Sequence, residues 1–213
     1  MTPASRHQCL IYDGPPSRQL PAIASVIREK LNQNRRCLYL NSHPMVAGIK
    51  SYLAAMGVDV AAEMEKGSLV LSSDLHHLIG DWHFDVDRMI DSLGRALYQA
   101  LADGYRGLWA SGDMSWEFGP AKDLSKLLEY EWRLEEFLRE HSQMEGICQY
   151  HSDTLPRNVL RNGLLAHSSL FINETLTVFN PHCVDPRSLA ADAIVDPQLD
   201  HALDRHLHRE SLN

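Results

Sequence analysis

Gly107-Leu108-Trp109-Ala110-Ser111 is a run with almost no polar side chain, and Leu69-Val70-Leu71-Ser72-Ser73 is a second. A strand with one wet face alternates apolar and polar residues. Runs like these ask for cover on both faces, which a mainly parallel sheet between two helical layers provides. Outward from them, short apolar runs alternate with amphipathic ones. Gln8 to Asp13 reads as a strand ended by Gly14-Pro15-Pro16, followed by Ile23, Val26, Ile27 and Leu31 at helical spacing. Arg36 to Asn41 gives a second strand and a helix stopped at Gly57; Ser68 to Ser72 gives a third. Asp85 is the expected N-cap of a helix that stops at Gly104, and Arg106 to Ser111 is the fourth strand.

From Pro120 to about His141 the pattern predicts the longest helix, with Leu124, Leu127, Leu128, Leu134, Phe137 and Leu138 forming an apolar stripe that Glu131 interrupts. Gly146 to Tyr150 is a fifth strand and Thr154 to Gly163 a short helix with Pro156 in its first turn. Ser169 to Asn173 and Thr175 to Asn180 read as an antiparallel hairpin at one edge. The expected fold class is α/β, a three-layer domain over residues 1–184. Residues 185–213 form a tail carrying six acidic and three basic residues, with Leu199, Leu203 and Leu207 spaced for a short amphipathic helix. That helix would dock on its own domain or serve self-association.

The 213 residues are 44% hydrophobic and 23% charged, as in an ordinary globular domain, which excludes disorder over the whole length. Twenty basic against 28 acidic side chains give a net charge of −8, so a phosphate backbone would be repelled and no direct nucleic-acid partner is expected. No run approaches the roughly 20 apolar residues of a membrane helix, and the polar Met1 to His7 segment lacks a secretory core, so a cytoplasmic address is expected. Cys9, Cys37, Cys148 and Cys183 are spaced like buried free thiols rather than a disulfide framework.

The first strand-to-helix turn reads Asp13-Gly14-Pro15-Pro16-Ser17-Arg18 and contains neither glycine-rich phosphate fingerprint. Its two prolines remove N–H donors and Asp13 repels phosphate, which excludes phosphate-loop ATP hydrolysis. In a parallel sheet the residues after each strand share one crevice, the usual ligand site of open α/β folds. Here they are Tyr12 and Asp13; Asn41, Ser42 and His43; Ser111 to Met114 with Trp116; and Tyr150 with His151. Taken singly, Trp109, Met114, Trp116 and Trp132 read as core side chains; their convergence nominates a pocket for a small, partly apolar molecule.

Twelve histidines offer conceivable metal ligands, among them His7, His76, His77, His83, His151, His167 and His182. None has the spacing of a known metal motif, and a site from His7, Cys9, His182 and Cys183 would need the chain ends to meet. The preferred reading is therefore ordinary core or surface histidines. Cys9 or Cys148 beside His151 or His167 as a nucleophile is weaker, because a thiol in an apolar strand is normally inert. Asp113 and Glu131 would form an acid–base pair if Glu131 faced the crevice, although a loop cap is the plainer reading of Asp113.

Several of these residues form an ordered combination: His7-x-Cys9-x-x-Tyr12; Gly104-Tyr105-Arg106-Gly107-Leu108 leading to Ser111-Gly112-Asp113-Met114-x-Trp116; Leu128-x-Tyr130-Glu131; Cys148-Gln149-Tyr150; and His167. Together they resemble the MEDS family, the methanogen and methylotroph DcmR-type sensory domain, from about His7 to Asn180. The resemblance implies a RecA/KaiC-related fold without the phosphate loop and a role in sensing small molecules in bacterial and archaeal signalling, including transcription regulation. It nominates His7, Cys9, Tyr12, Asp113, Met114, Trp116, Tyr130, Glu131, Cys148, Tyr150 and His167 as ligand-binding residues. Trp109 departs from the family, where arginine is frequent, and makes the pocket more apolar.

The leading expectation is a non-catalytic sensor that binds a small ligand at the C-terminal edge of the sheet. Members of that family often carry an attached output domain, and none is read in this sequence, so the expected output is through a separate protein or by homo-oligomerisation. A metal- or acid/base-dependent enzyme and a degenerate nucleotide-fold scaffold are the alternatives. The sequence names no cofactor.

Overall fold

The computed structural model describes residues 6–73, 84–117, 124–184 and 197–210. Seven strands form one sheet: β1 (His7–Tyr12), β2 (Arg36–Leu40), β3 (Leu69–Ser72), β4 (Leu108–Asp113), β5 (Met144–His151), β6 (Ser169–Asn173) and β7 (Leu176–Phe179). Their order is β3-β2-β4-β5-β1-β6-β7. Every neighbouring pair is parallel except β6 with β7, the antiparallel hairpin at one edge. The doubly buried strand runs thus fold as the mainly parallel sheet that they require.

The two helical layers sort the strand side chains by parity. On one face Leu10, Tyr12, Cys37, Tyr39, Trp109 and Ile147 pack against α1 (Leu20–Asn32) and α2 (His43–Ala55). A short α3 (Val60–Glu65) follows, capped by Asp59 through Ala62 N–H at 3.1 Å. Because α3 buries none of its residues, no apolar period marked it in the sequence. On the other face Cys9, Ile11, Leu38, Leu108, Cys148 and Tyr150 pack against α4 (Val86–Ala102), α6 (Leu127–Glu140) and α7 (Arg157–Ala166). A one-turn α5 (Met114–Glu117) leaves the end of β4.

Several boundaries differ from expectation for local reasons. β4 runs to Asp113 instead of stopping at Ser111, because Gly112 and Asp113 still pair with Cys148 and Gln149. α7 starts after Pro156, not at Thr154; a residue before proline is pushed out of the helical region, and Pro156 itself is extended at ψ 148°. Among the described residues α4, with 17 residues, is longer than α6, with 14; residues 118–123, where the longer reading of α6 began, lie outside the described residues. Asp85 caps α4 as expected, accepting from Arg88 N–H at 2.9 Å.

The tail contains α8 (Pro197–Glu210), which docks on its own domain. Leu199 and Leu203 are buried, and the His206 ring meets the Ile11 carbonyl at 3.1 Å. Asp200 bridges Arg157 at 2.8 Å and Arg161 at 2.7 Å, and Asp204 pairs with Arg157 at 2.6 Å.

Candidate functional site

Period-two geometry places His7, Cys9 and Ile11 of β1 on the α6 side of the sheet, with Cys148 and Tyr150 of the neighbouring β5 beside them. His7 is opposite Gly146 in the ladder. A Cβ on Gly146 would come within 2.9 Å of the Ala110 carbonyl. On α6 the inward stripe Leu127, Tyr130, Glu131, Leu134 and Leu138 points a carboxylate down among these groups. Glu131 is fully buried, so it persists as an ion only through its partners.

Those partners are close. His7 Nε2 is 3.2 Å from Glu131 Oε2 and 3.4 Å from Cys148 Sγ. The Cys148 thiol donates to Glu131 Oε2 at 3.4 Å, and the Tyr150 hydroxyl donates to Glu131 Oε1. His7 Nδ1 donates to Glu135 Oε2 at 3.0 Å, one turn further along α6. His167, between α7 and β6, packs its ring 4.0 Å from that of His7. Its Nδ1 donates to the Gly163 carbonyl at 2.8 Å, while Nε2 has no hydrogen-bond partner and stands 3.4 Å from Glu131 Oε2. Cys9 adjoins this group and, after burial and Glu131, helps to raise the Tyr150 pKa.

The protonation states follow from burial and neighbours. Burial opposes a charge on His7, but the hydrogen bonds to Glu131 and Glu135 outweigh it and hold the ring up at about 9. Burial, reinforced by charged His7, pushes His167 down to about 4. Burial also works against the Glu131 carboxylate; the His167 and His7 rings and the Tyr150 hydroxyl overcome it and hold Glu131 down at about 2. At neutral pH the group therefore contains one imidazolium, one carboxylate and one neutral imidazole. A small cavity of about 30 Å³ adjoins it, lined by His7 and Cys148 and by Met89, Leu93, Met114 and Tyr130.

A second polar group occupies the C-terminal edge of the sheet, on the opposite face. Tyr12 donates to Asp113 at 3.2 Å and stacks on His151 with ring centroids 4.8 Å apart. Ser115 also donates to Asp113, and Gln149 joins Gln19 to Ser111. Arg18 pairs with Asp13 at 2.8 Å across the first strand-to-helix turn, the position where a phosphate cradle would stand.

A family model described as "MEthanogen/methylotroph, DcmR Sensory domain" (MEDS) matches residues 6–168. The chain belongs to the MEDS family. A crystal structure of the flagellar accessory protein FlaH from Methanocaldococcus jannaschii is similar to this MEDS protein with a TM-score of 0.54 and 11% identity, over 78% of this chain and 70% of that chain. At that identity the likeness establishes the fold, which is RecA-like, and nothing of activity. No curated protein matches the chain. Among the described residues no helix is long and apolar enough to cross a membrane.

The MEDS residues nominated from sequence therefore divide. His7, Cys9, Glu131, Cys148, Tyr150 and His167 gather in the buried group, and Met114 and Tyr130 line the cavity beside it. Tyr12 and Asp113 belong to the edge network on the other face, which separates Asp113 from Glu131 and removes the acid–base pair. The Trp116 side chain, and His76, His77 and His83, lie outside the described residues. His7 with Cys9, His182 and Cys183 is the metal set conceivable from sequence; among the described residues the fold instead assembles the ligand-type side chains His7, Glu131, Cys148 and His167. Glu135 went unnoticed, although its i, i+4 spacing from Glu131 was visible.

Proposed function

We propose that this MEDS domain senses a small, partly apolar molecule taken into the cavity beside His7 and Cys148, and signals to a separate protein through the helices that enclose it. The carrying observation is the cavity itself: about 30 Å³, walled by Met89, Leu93, Met114 and Tyr130, with His7, Cys148 and Ser111 among the polar residues that line it. A water-sized occupant needs roughly 10–15 Å³, so the space suits a ligand of two or three non-hydrogen atoms. The proposal moves the ligand from the open crevice beyond the strand ends to the space beneath α4 and α6.

Coupling comes from the wall. Met89 and Leu93 belong to α4, Met114 to α5, and Tyr130 and Leu134 to α6, so an occupant that prefers a wider cavity biases the packing of three helices at once. Thioether side chains adapt to such an occupant at little strain. Thermal unfolding against one- and two-carbon alcohols, thiols, amines and halides tests the reading. A selective rise in Tm is expected for the natural chain, because occupancy at about 100 times Kd adds about 2.7 kcal/mol. Leu93→Phe, which fills the cavity, should remove the rise; an equal rise in folded Leu93→Phe, or no response to any member of the panel, overturns it.

A further inference from the structure

His7, Glu131, Cys148 and His167 each direct one ligand-type atom into the same small volume; the four atoms lie within 4.8 Å of one another and all four residues are buried. Four of the six separations are 3.2, 3.4, 3.4 and 3.4 Å. A tetrahedral zinc with metal–nitrogen and metal–oxygen bonds of about 2.0–2.1 Å and a metal–sulfur bond of about 2.3 Å has ligand–ligand edges of about 3.3–3.6 Å. From these dimensions we infer that His7 Nε2, Glu131 Oε2, Cys148 Sγ and His167 Nε2 bind one divalent ion of the zinc class.

Hydrogen bonding alone does not account for the group. His7 and Tyr150 serve Glu131, but His167 Nδ1 gives its hydrogen to Gly163, and its Nε2 is aimed at a carboxylate oxygen without making a hydrogen bond to it. That nitrogen is buried without a hydrogen-bond partner. Two acceptors facing each other in the interior are costly, and a shared cation converts their repulsion into two bonds. The outer groups are also those that metal sites use: His7 Nδ1 donates to Glu135, His167 Nδ1 to a backbone carbonyl, and Tyr150 holds the second oxygen of Glu131. Two imidazoles, a thiolate and a carboxylate suit a borderline ion better than magnesium or calcium, which take oxygen ligands.

The charges balance on both sides of the binding step. Without metal, the His7 ring holds a hydrogen toward each of Glu131 and Glu135, and the Cys148 thiol holds one toward Glu131. The divalent ion replaces the proton on His7 Nε2 and the proton on Cys148 Sγ, leaving a dication matched by one carboxylate and one thiolate. Two protons leave for each ion bound, nothing is oxidised or reduced, and the buried site stays neutral. The site adjoins the cavity assigned above to a small ligand, but the metal does not depend on that assignment: a structural ion would have the same ligands.

Elemental analysis of tag-free full-length protein, purified without chelator, tests the inference. The expected content is about one zinc-class ion per chain. Cys148→Ser and His167→Gln should lower it at least tenfold, and Glu135→Gln should weaken binding about 10- to 100-fold in a chelator competition. Should those variants fail to fold, cobalt titration of the natural chain gives the answer instead: a thiolate-to-cobalt charge-transfer band, with release of about two protons per ion. Protein that is metal-free as purified and takes up no zinc or cobalt overturns the inference. So does cobalt binding without a thiolate band, or undiminished metal in folded Cys148→Ser and His167→Gln. A chain silent to every organic ligand but loaded with metal would sink the sensing proposal and leave this one standing.

Discussion

Glu131 Oε2 and His167 Nε2 face each other across 3.4 Å in the interior, the carboxylate ionised and the imidazole with its hydrogen committed to Gly163. Such a contact persists only because His7, on the other side of Glu131, supplies a positive charge at 3.2 Å. Glu131→Gln keeps the shape of the side chain but takes away the buried carboxylate partner of that charge and leaves it only Glu135, which is partly exposed. The expected loss is about 3–5 kcal/mol in urea unfolding of metal-stripped protein, the usual consequence of removing one member of a buried pair. The double variant His7→Gln, Glu131→Gln should recover part of it; a single-variant loss below about 1 kcal/mol contradicts the pairing.

The same group sets a pH dependence in metal-stripped protein. His7 faces Glu131 and Glu135 from α6, Cys148 from β5, and His167. Its pKa rises from 6.5 to about 9 on folding, so its contribution is complete below pH 6.5 and disappears as pH climbs to about 9. His167 falls from 6.5 to about 4, so below pH 6.5 the unfolded chain binds the extra proton and stability drops until about pH 4. Each limb is of the order of 3 kcal/mol. Denaturant midpoints should therefore peak near pH 6.5, with the alkaline limb flattened in His7→Gln and the acid limb in His167→Gln. A steady rise from pH 5 to 9 would contradict both assignments.

Tyr12 and Asp113 belong to a separate network on the opposite face of the sheet. Tyr12→Phe removes a donor from a buried carboxylate and should cost about 1–3 kcal/mol. Combined with Cys148→Ser, the two losses should add within about 0.5 kcal/mol. Coupling well above that would mean that the two networks act as one.

Docking of the tail is testable at Leu203, which is fully buried against the domain. Leu203→Ala should cost about 2–5 kcal/mol. Leu176→Ala, on the edge strand with 47% of the side chain exposed, should change little. A loss at Leu203 as small as that expected at Leu176 would argue that α8 contributes nothing to the fold.

The layered fold was legible because its strands are apolar on both faces and its helices carry clear stripes. Boundaries moved where local chemistry overrode the pattern, as at Pro156 and at the paired Gly112 and Asp113. The site was half legible. The residues of the family resemblance include all four members of the buried group, but no spacing argument joins His7 to His167 across 160 positions when β1, β5, α6 and α7 must first pack. The interruption of an apolar stripe by Glu131 was the one local sign that α6 delivers a charge to the interior.

Methyl-selective NMR of the methionines tests the sensing account most directly. Met89, Met114 and Met144 line the cavity, whereas Met45 packs on the opposite face of the sheet. On titration with the small molecule that raises Tm, the account predicts saturable shifts at the first three methyls with Met45 unchanged. Shifts centred on Met45, or none at the cavity methyls while Tm still rises, would place the ligand elsewhere and contradict it.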